Sequence, residues 1–141
     1  MSIKPGAFFG GLVGVAVISV LTFSLLGCGK TDGKHKKYYP DGQVRSEKTF
    51  RDGMLEGEAK EYYANGQLKS EIFNANGELE GLCKWYYENG QIQSEEAYKG
   101  GKRNGLCKWF YEGGQLKSEE VWSGGTLEKV QEYNESGSLK R

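Results

Sequence analysis

Residues 86–95 read Tyr-Tyr-Glu-Asn-Gly-Gln-Ile-Gln-Ser-Glu, and close copies of this segment occupy 38–47, 62–71 and 110–119. A fifth, partial copy spans 133–141. The turn glycines of the five copies are 24, 24, 24 and 23 residues apart: Gly42, Gly66, Gly90, Gly114 and Gly137. Repetition at a nearly constant interval of this length predicts a repeat architecture in which each unit stacks on the next.

Each copy predicts a β-hairpin, because Asp-Gly or Asn-Gly between apolar strands favours a two-residue type I′ turn. With Asn89-Gly90 as the loop, the facing pairs are Lys84–Glu95, Trp85–Ser94, Tyr86–Gln93 and Tyr87–Ile92. The same register in the other copies gives three further Lys–Glu pairs: Lys36–Glu47, Lys60–Glu71 and Lys108–Glu119. It also gives three further aromatic–aliphatic pairs: Tyr39–Val44, Tyr63–Leu68 and Tyr111–Leu116.

Alternation along the strands then sorts the side chains onto two faces. One face is more apolar and carries Cys83, Trp85, Tyr87, Ser94 and Ile92, whereas the other carries mostly polar residues. A glycine-rich link at 99–105 joins one hairpin to the next. The sequence therefore predicts an all-β protein: an elongated antiparallel β-meander of about nine or ten strands, built from hairpin repeats of about 24 residues.

The N-terminal segment has a different character. Residues 7–26 contain no charge and follow a single basic residue, Lys4, which is typical of a secretory signal. The segment ends in Leu25-Leu26-Gly27-Cys28, which resembles the lipobox of bacterial lipoproteins. That resemblance implies a signal peptide at 1–27, lipidation of Cys28 and an envelope protein anchored in a membrane. The alternative is an uncleaved membrane helix, since about 20 apolar residues span a bilayer.

Two further segments complete the predicted organisation. Residues 28–37 comprise the lipidated cysteine and a stretch without apolar residues, which predicts a polar tether. Residues 38–141 form the repeat domain, with four full repeats and a terminal partial one. By lipoprotein sorting rules, Gly29 after the cysteine implies the outer membrane if the cell is Gram-negative.

Composition excludes several function classes. The 19 Lys and Arg balance the 19 Asp and Glu, so we expect no nucleic-acid partner. One His and three Cys are too few for an ordinary zinc site, and no phosphate-binding loop is present. We expect no catalytic residues, no metal and no cofactor, and therefore no enzyme. Glu96 and Glu120 recur at the repeat interval, which favours a structural role over a catalytic carboxylate pair.

Cys83 and Cys107 occupy equivalent positions in consecutive repeats. Equivalent positions lie two strands apart, or about 9.6 Å at the usual strand spacing. A disulfide needs Cα atoms about 4.4–6.8 Å apart. We therefore predict two free, partly buried thiols.

Aromatic side chains form a stripe at matching heights on the apolar face. Its members are Tyr63, Trp85, Tyr87, Trp109 and Tyr111. The stripe is either the core of the sheet or an exposed strip for binding. Loss of stability in Trp85→Ala and Trp109→Ala would indicate a core, and loss of binding without a change in melting would indicate a strip.

The repeated Tyr-Tyr-x-Asn-Gly-Gln-Leu-x-Ser-Glu segments, with Gly-x-x-x-Gly between them, resemble the bacterial variant of the MORN repeat, as found in YwqK-like antitoxins. The resemblance implies a β-meander that acts in protein or membrane contacts, not in chemistry. We therefore expect a lipoprotein that binds a protein partner, with an immunity or antitoxin-like role as one version. An alternative is a cell-wall glycan-binding module, since residues 85–90 are similar to the Trp-Tyr-Tyr-x-x-x-Gly of choline-binding wall repeats.

Overall fold

The computed structural model describes residues 32–140, and this part of the chain forms one antiparallel sheet. The predicted signal peptide and Cys28 lie outside the described residues. Within 32–140 there are twelve strands and no helix. They are β1 (Gly33–Tyr38), β2 (Val44–Arg51), β3 (Met54–Leu55), β4 (Gly57–Tyr62), β5 (Leu68–Ala75), β6 (Glu78–Leu79), β7 (Gly81–Tyr86), β8 (Ile92–Lys99), β9 (Lys102–Arg103), β10 (Gly105–Phe110), β11 (Leu116–Ser123) and β12 (Thr126–Glu132).

The strands follow one another across the sheet in chain order. Nine form the continuous path β1-β2-β4-β5-β7-β8-β10-β11-β12, and the two-residue strands β3, β6 and β9 pair with β2, β5 and β8. This arrangement confirms the predicted all-β meander. The three short strands account for the difference from the expected nine or ten.

The predicted hairpin register is confirmed away from the turn and wrong next to it. Lys84 pairs with Glu95 and Trp85 with Ser94, but Tyr86 pairs with Ile92 instead of Gln93. Equivalent shifts give the pairs Tyr38–Val44, Tyr62–Leu68 and Phe110–Leu116 in place of the predicted Tyr39–Val44, Tyr63–Leu68 and Tyr111–Leu116.

The cause of the shift is a three-residue loop. The N–H of Tyr87 donates to the carbonyl of Gln91 (2.8 Å), and the N–H of Gly90 donates to the carbonyl of Tyr87 (2.9 Å). Gly90 has φ of 85°, whereas Asn89 is not among the positive-φ residues of the described chain. This is the pattern of a turn followed by a glycine bulge, so the predicted type I′ turn at Asn89-Gly90 is wrong.

Two-residue turns with positive φ at both positions instead follow the second long strand of each repeat, namely β2, β5, β8 and β11. The pair Asp52-Gly53 has φ of 50° and 74°, and Asn76-Gly77 has 52° and 82°. Gly100-Gly101 and Gly124-Gly125 repeat this conformation. The predicted glycine-rich link is therefore a tight hairpin that begins the next repeat.

Ion pairs line one side of the sheet. All four predicted Lys–Glu pairs are confirmed: Lys36–Glu47 (2.6 Å), Lys60–Glu71 (3.2 Å), Lys84–Glu95 (3.6 Å) and Lys108–Glu119 (3.2 Å). Because strand neighbours alternate between faces, the serine that precedes each of these glutamates points to the other side.

On that other side the serines alternate with larger residues across the strands. Their paired residues form what we call the central row: Lys37, Ser46, Glu61, Ser70, Trp85, Ser94, Trp109, Ser118 and Glu132. The buried apolar residues beside the row are few: Phe50, Ala59, Cys83 and Cys107. The core is therefore thin. Neither cysteine is in a disulfide, as predicted, but both are completely buried instead of partly buried.

Tyrosine hydroxyls connect successive repeats. Tyr63 donates to the carbonyl of Tyr86 (2.7 Å), and Tyr87 donates to the carbonyl of Phe110 (2.8 Å). Tyr39 and Tyr111 make the same bond to Tyr62 and Tyr133. Each hydroxyl thus satisfies a backbone acceptor about 23 residues ahead, which fixes the stacking of one hairpin on the next.

The predicted tether at 28–37 overlaps the sheet. Residues 33–37 belong to β1, which pairs with β2 from Gly33 to Tyr38, so the prediction is wrong for these residues. The segment lacks the apolar alternation of an inner strand because it lies at the sheet edge, where charged side chains are common and oppose pairing with other chains.

Candidate binding groove

The candidate site is centred on Ser94. Ser94 pairs with Trp85 on one side and with Trp109 on the other, so a small buried side chain lies between two large ones. At the usual strand spacing the two tryptophan Cα atoms are about 9.6 Å apart. The Trp85–Ser94 pair was predicted from the hairpin register, whereas the Ser94–Trp109 pair results from the pairing of successive repeats.

A cavity of about 320 Å³ lies over this serine and is called the aromatic pocket here. Both tryptophans lining it are half-buried, which leaves part of each ring in contact with solvent. The residues that line it are Trp85, Tyr87, Gln93, Ser94, Glu96, Trp109, Phe110 and Lys117. The pocket therefore combines apolar walls with several polar groups.

Glu96 is the carboxylate of the pocket, and several hydrogen bonds hold it in place. Its side chain is 8% exposed, and its Oε2 lies 2.7 Å from Nη2 of Arg103 and accepts a bond from the Nε of the same residue. Ser94 Oγ donates to Oε1 (3.1 Å), and the Tyr98 hydroxyl donates to Oε2 (3.0 Å). This network holds the carboxylate in one orientation.

Arg103 lies between two indole rings. Its guanidinium carbon is 5.2 Å from the Trp109 ring centroid and 5.1 Å from that of Trp122. Burial by itself lowers the pKa of Arg103. The hydrogen bond to Glu96 and the negative charge of Glu96 outweigh this effect, so the pKa of Arg103 is raised. Arg103 was not predicted as a site residue, because it lies in the short strand β9 within the predicted link.

The structure places the five residues of the predicted strip in two kinds of position. Trp85, Tyr87 and Trp109 line the aromatic pocket, whereas Tyr63 and Tyr111 do not. The hydroxyls of all three tyrosines bond to the next repeat. Each of the five predicted turn glycines has a φ between 82° and 89°.

Glu96 and Glu120 do not form a carboxylate pair with each other. Glu120 accepts a hydrogen bond from Nε1 of Trp122 (2.8 Å), and Glu96 binds Arg103.

Burial raises the pKa of both Cys83 and Cys107, which disfavours the thiolate that a nucleophile or metal ligand requires. Within residues 32–140 no group of His, Cys, Asp and Glu side chains could hold a metal ion. Over the same range no helix is long and apolar enough to span a bilayer.

Comparison with solved structures gives a match of low sequence identity. A chain of the Glycosylation Associate Protein (Gap123) complex from Streptococcus agalactiae is 17% identical, with a TM-score of 0.42. The match covers 75% of the present chain and 20% of that one, so this chain spans about one fifth of the length of the protein it matches. A search of the curated proteins found no match.

Comparison with protein families gives a specific result. Four successive segments match the family described as MORN repeat variant: 31–52, 55–78, 79–99 and 103–123. They cover more than half of the sequence and follow the repeats of the sheet. This chain therefore belongs to the MORN repeat variant family.

Proposed function

We propose that this protein is a non-enzymatic envelope lipoprotein whose repeat sheet binds a protein partner through the aromatic pocket. The observation that carries the proposal is the pair of half-buried tryptophans, Trp85 and Trp109, on either side of the buried Ser94. Tryptophan is among the residues that contribute most to binding energy at protein interfaces.

The polar groups of the pocket support a specific interface. Glu96 is held by Arg103, Ser94 and Tyr98, so little conformational entropy is lost when a partner approaches it. Gln93 and Lys117 also line the pocket and offer polar contacts. An interface with an aromatic centre and a polar rim is the usual arrangement in protein complexes.

The sequence at 25–28 supports the location. A lipidated Cys28 would hold the sheet at a membrane surface through its acyl chains, each buried methylene adding about 0.8 kcal/mol. If the cell is Gram-negative, Gly29 favours the outer membrane. The finer version of the proposal is an immunity or antitoxin-like role, in which the partner is a toxin that acts in the envelope.

In-cell cross-linking tests the protein-binding proposal. Tagged full-length protein is cross-linked in intact cells, and captured proteins are identified by mass spectrometry. We expect one abundant protein neighbour with the wild type and a loss of at least tenfold in its yield with Trp85→Ala. Phe73→Ala is the matched control, because Phe73 is an exposed aromatic residue outside the pocket. Equal capture by wild type and Trp85→Ala would contradict the proposal.

A second candidate is glycan binding, favoured by the same two tryptophans, because sugar rings stack on aromatic faces. Gln93, Glu96 and Lys117 would then supply hydrogen bonds to hydroxyl groups. Sedimentation with purified cell-wall sacculi distinguishes this candidate. Sedimentation of the wild type but not of Trp85→Ala, without a protein neighbour in cells, would favour the glycan.

A further inference from the structure

A second concavity lies in the first two repeats and is called the basic pocket here. Its volume is about 270 Å³. The lining residues include four cations and one carboxylate: His35, Lys37, Tyr39, Arg45, Ser46, Lys48, Phe50, Glu61, Tyr62 and Lys69. No function described above uses this pocket.

The two pockets occupy equivalent positions in different repeats, but the side chains that line them differ. Every residue that lines the aromatic pocket has a counterpart 48 residues earlier that lines the basic pocket. Three of the eight residues are identical in the two pockets: Tyr39, Ser46 and Lys69 correspond to Tyr87, Ser94 and Lys117. Lys37 and Glu61 take the places of the two tryptophans, and Lys48 takes the place of Glu96. The repeat fold therefore tolerates different side chains at these positions, which leaves them available for recognition.

Most of the positive charge in the basic pocket is uncompensated. Lys48 Nζ lies 2.7 Å from Oε1 of Glu61, and this hydrogen bond lowers the pKa of Glu61. Lys37, Arg45 and Lys69 are in no ion pair with any other residue of the range 32–140. One acid therefore faces four cations.

Aromatic rings position two of these cations. The Arg45 guanidinium carbon is 5.8 Å from the Tyr39 ring centroid, and Lys69 Nζ is 5.7 Å from that of Tyr63. Such contacts are compatible with a charge that also faces solvent. The cationic groups are thus partly ordered before any ligand binds.

The cations are spread across the sheet. Lys37 is in β1, Arg45 and Lys48 are in β2, and Lys69 is in β5. From β1 to β5 there are three strand steps, or about 14 Å at the usual spacing. That span is too wide for a single oxyanion. It matches two or three acidic side chains on one face of an extended peptide, where alternate residues are about 6.6–6.8 Å apart.

We infer that the basic pocket binds an extended acidic segment of a protein partner, with Lys37, Arg45 and Lys69 facing its carboxylates. The inference rests on the proposed function, since it names the chemistry of the partner. The pocket lies two repeats, or about 19 Å, from the aromatic pocket on the same groove, so one partner can occupy both.

Fluorescence anisotropy with a defined probe tests the inference. The probe is a fluorescein-labelled peptide of four Glu-Ser repeats, titrated with the full-length chain in detergent at low salt. We expect saturable binding that weakens at least fivefold in the Lys37→Gln/Lys69→Gln double variant. The matched control, Lys99→Gln/Lys102→Gln, removes two exposed charges outside both pockets and should change Kd less than twofold.

Three results would overturn the inference: no saturable binding, an equal loss in the control variant, or equally tight binding of a labelled oligogalacturonate of the same charge. The last result would assign the pocket to acidic glycans. The two proposals fail separately. If the peptide does not bind but Trp85→Ala still loses its captured protein, only the basic-pocket inference fails. If the peptide binds and no protein is captured in cells, the proposed function fails.

Discussion

The Nη2 of Arg103 lies 2.7 Å from Oε2 of Glu96, and the guanidinium group is enclosed by the rings of Trp109 and Trp122. This ion pair joins the third and fourth repeats, and its carboxylate lines the aromatic pocket. Its carboxylate is 8% exposed, compared with 26% for Glu119 in the Lys108–Glu119 pair of the opposite side, whereas the two cations are about equally exposed.

Glu96→Gln should lower the free energy of unfolding by about 1.5–3 kcal/mol, because hydrogen bonds to a charged, buried group are lost. Glu119→Gln is the matched control. Its pair with Lys108 is half-exposed and should contribute at most about 1 kcal/mol. Urea denaturation of both variants measures the difference. Equal losses of unfolding free energy would show that the Glu96–Arg103 pair stabilises the fold no more than the Lys108–Glu119 pair.

The tyrosine connections between repeats give a second prediction. Tyr87→Phe removes the hydroxyl that donates to the carbonyl of Phe110 and should cost about 1 kcal/mol of stability. The adjacent Tyr86→Phe is the control, because the Tyr86 hydroxyl makes no such bond to the next repeat within the described chain. Equal stability of the two variants, by urea denaturation, would refute the role of these hydroxyls.

The turn glycine gives a third prediction. Gly90 has φ of 85°, so Gly90→Ala places a side chain in the left-handed region and should cost about 1–2 kcal/mol. A Cβ at this position would also meet the Oε1 of Gln67 in the preceding turn. Glu88→Ala, in the same exposed loop, should change stability by no more than about 0.5 kcal/mol. Thermal melting of both variants provides the comparison.

Much of the fold could be predicted from the repeat, but its turns could not. The Asn89-Gly90 dipeptide supports either a two-residue or a three-residue loop, and the bond from Tyr87 to Gln91 selects the second. Periodicity also missed β1, because a polar edge strand has no apolar alternation to detect.

The candidate site could be predicted only in part. Register alone placed Trp85 opposite Ser94, and the repeat then brought Trp109 to the other side. The position of Arg103 could not be predicted, since its partners come from strands β8, β10 and β11 and only the folded sheet brings them together. The basic pocket was missed for the same reason.

The edge of the sheet gives a prediction about pH. Hydrogen bonds from Lys34 and Lys36 lower the pKa of Glu47 to about 2, from an ordinary value of 4.5. A depressed pKa in the folded state means that this stabilisation is complete above about pH 4.5 and is lost as the pH falls towards 2. Melting temperatures of wild type and Glu47→Gln should therefore converge across this interval. A constant difference down to pH 2 would contradict this assignment.

Site-specific photo-cross-linking in living cells tests directly whether the aromatic pocket binds a protein. A photoreactive amino acid is placed at Gln93, which lines the pocket, or at Leu106, which is exposed on the opposite side of the sheet. We expect a single protein adduct from position 93 that disappears when Trp85→Ala is added, and no such adduct from position 106. An adduct from position 106 alone, or none from either position, would contradict protein binding at this pocket.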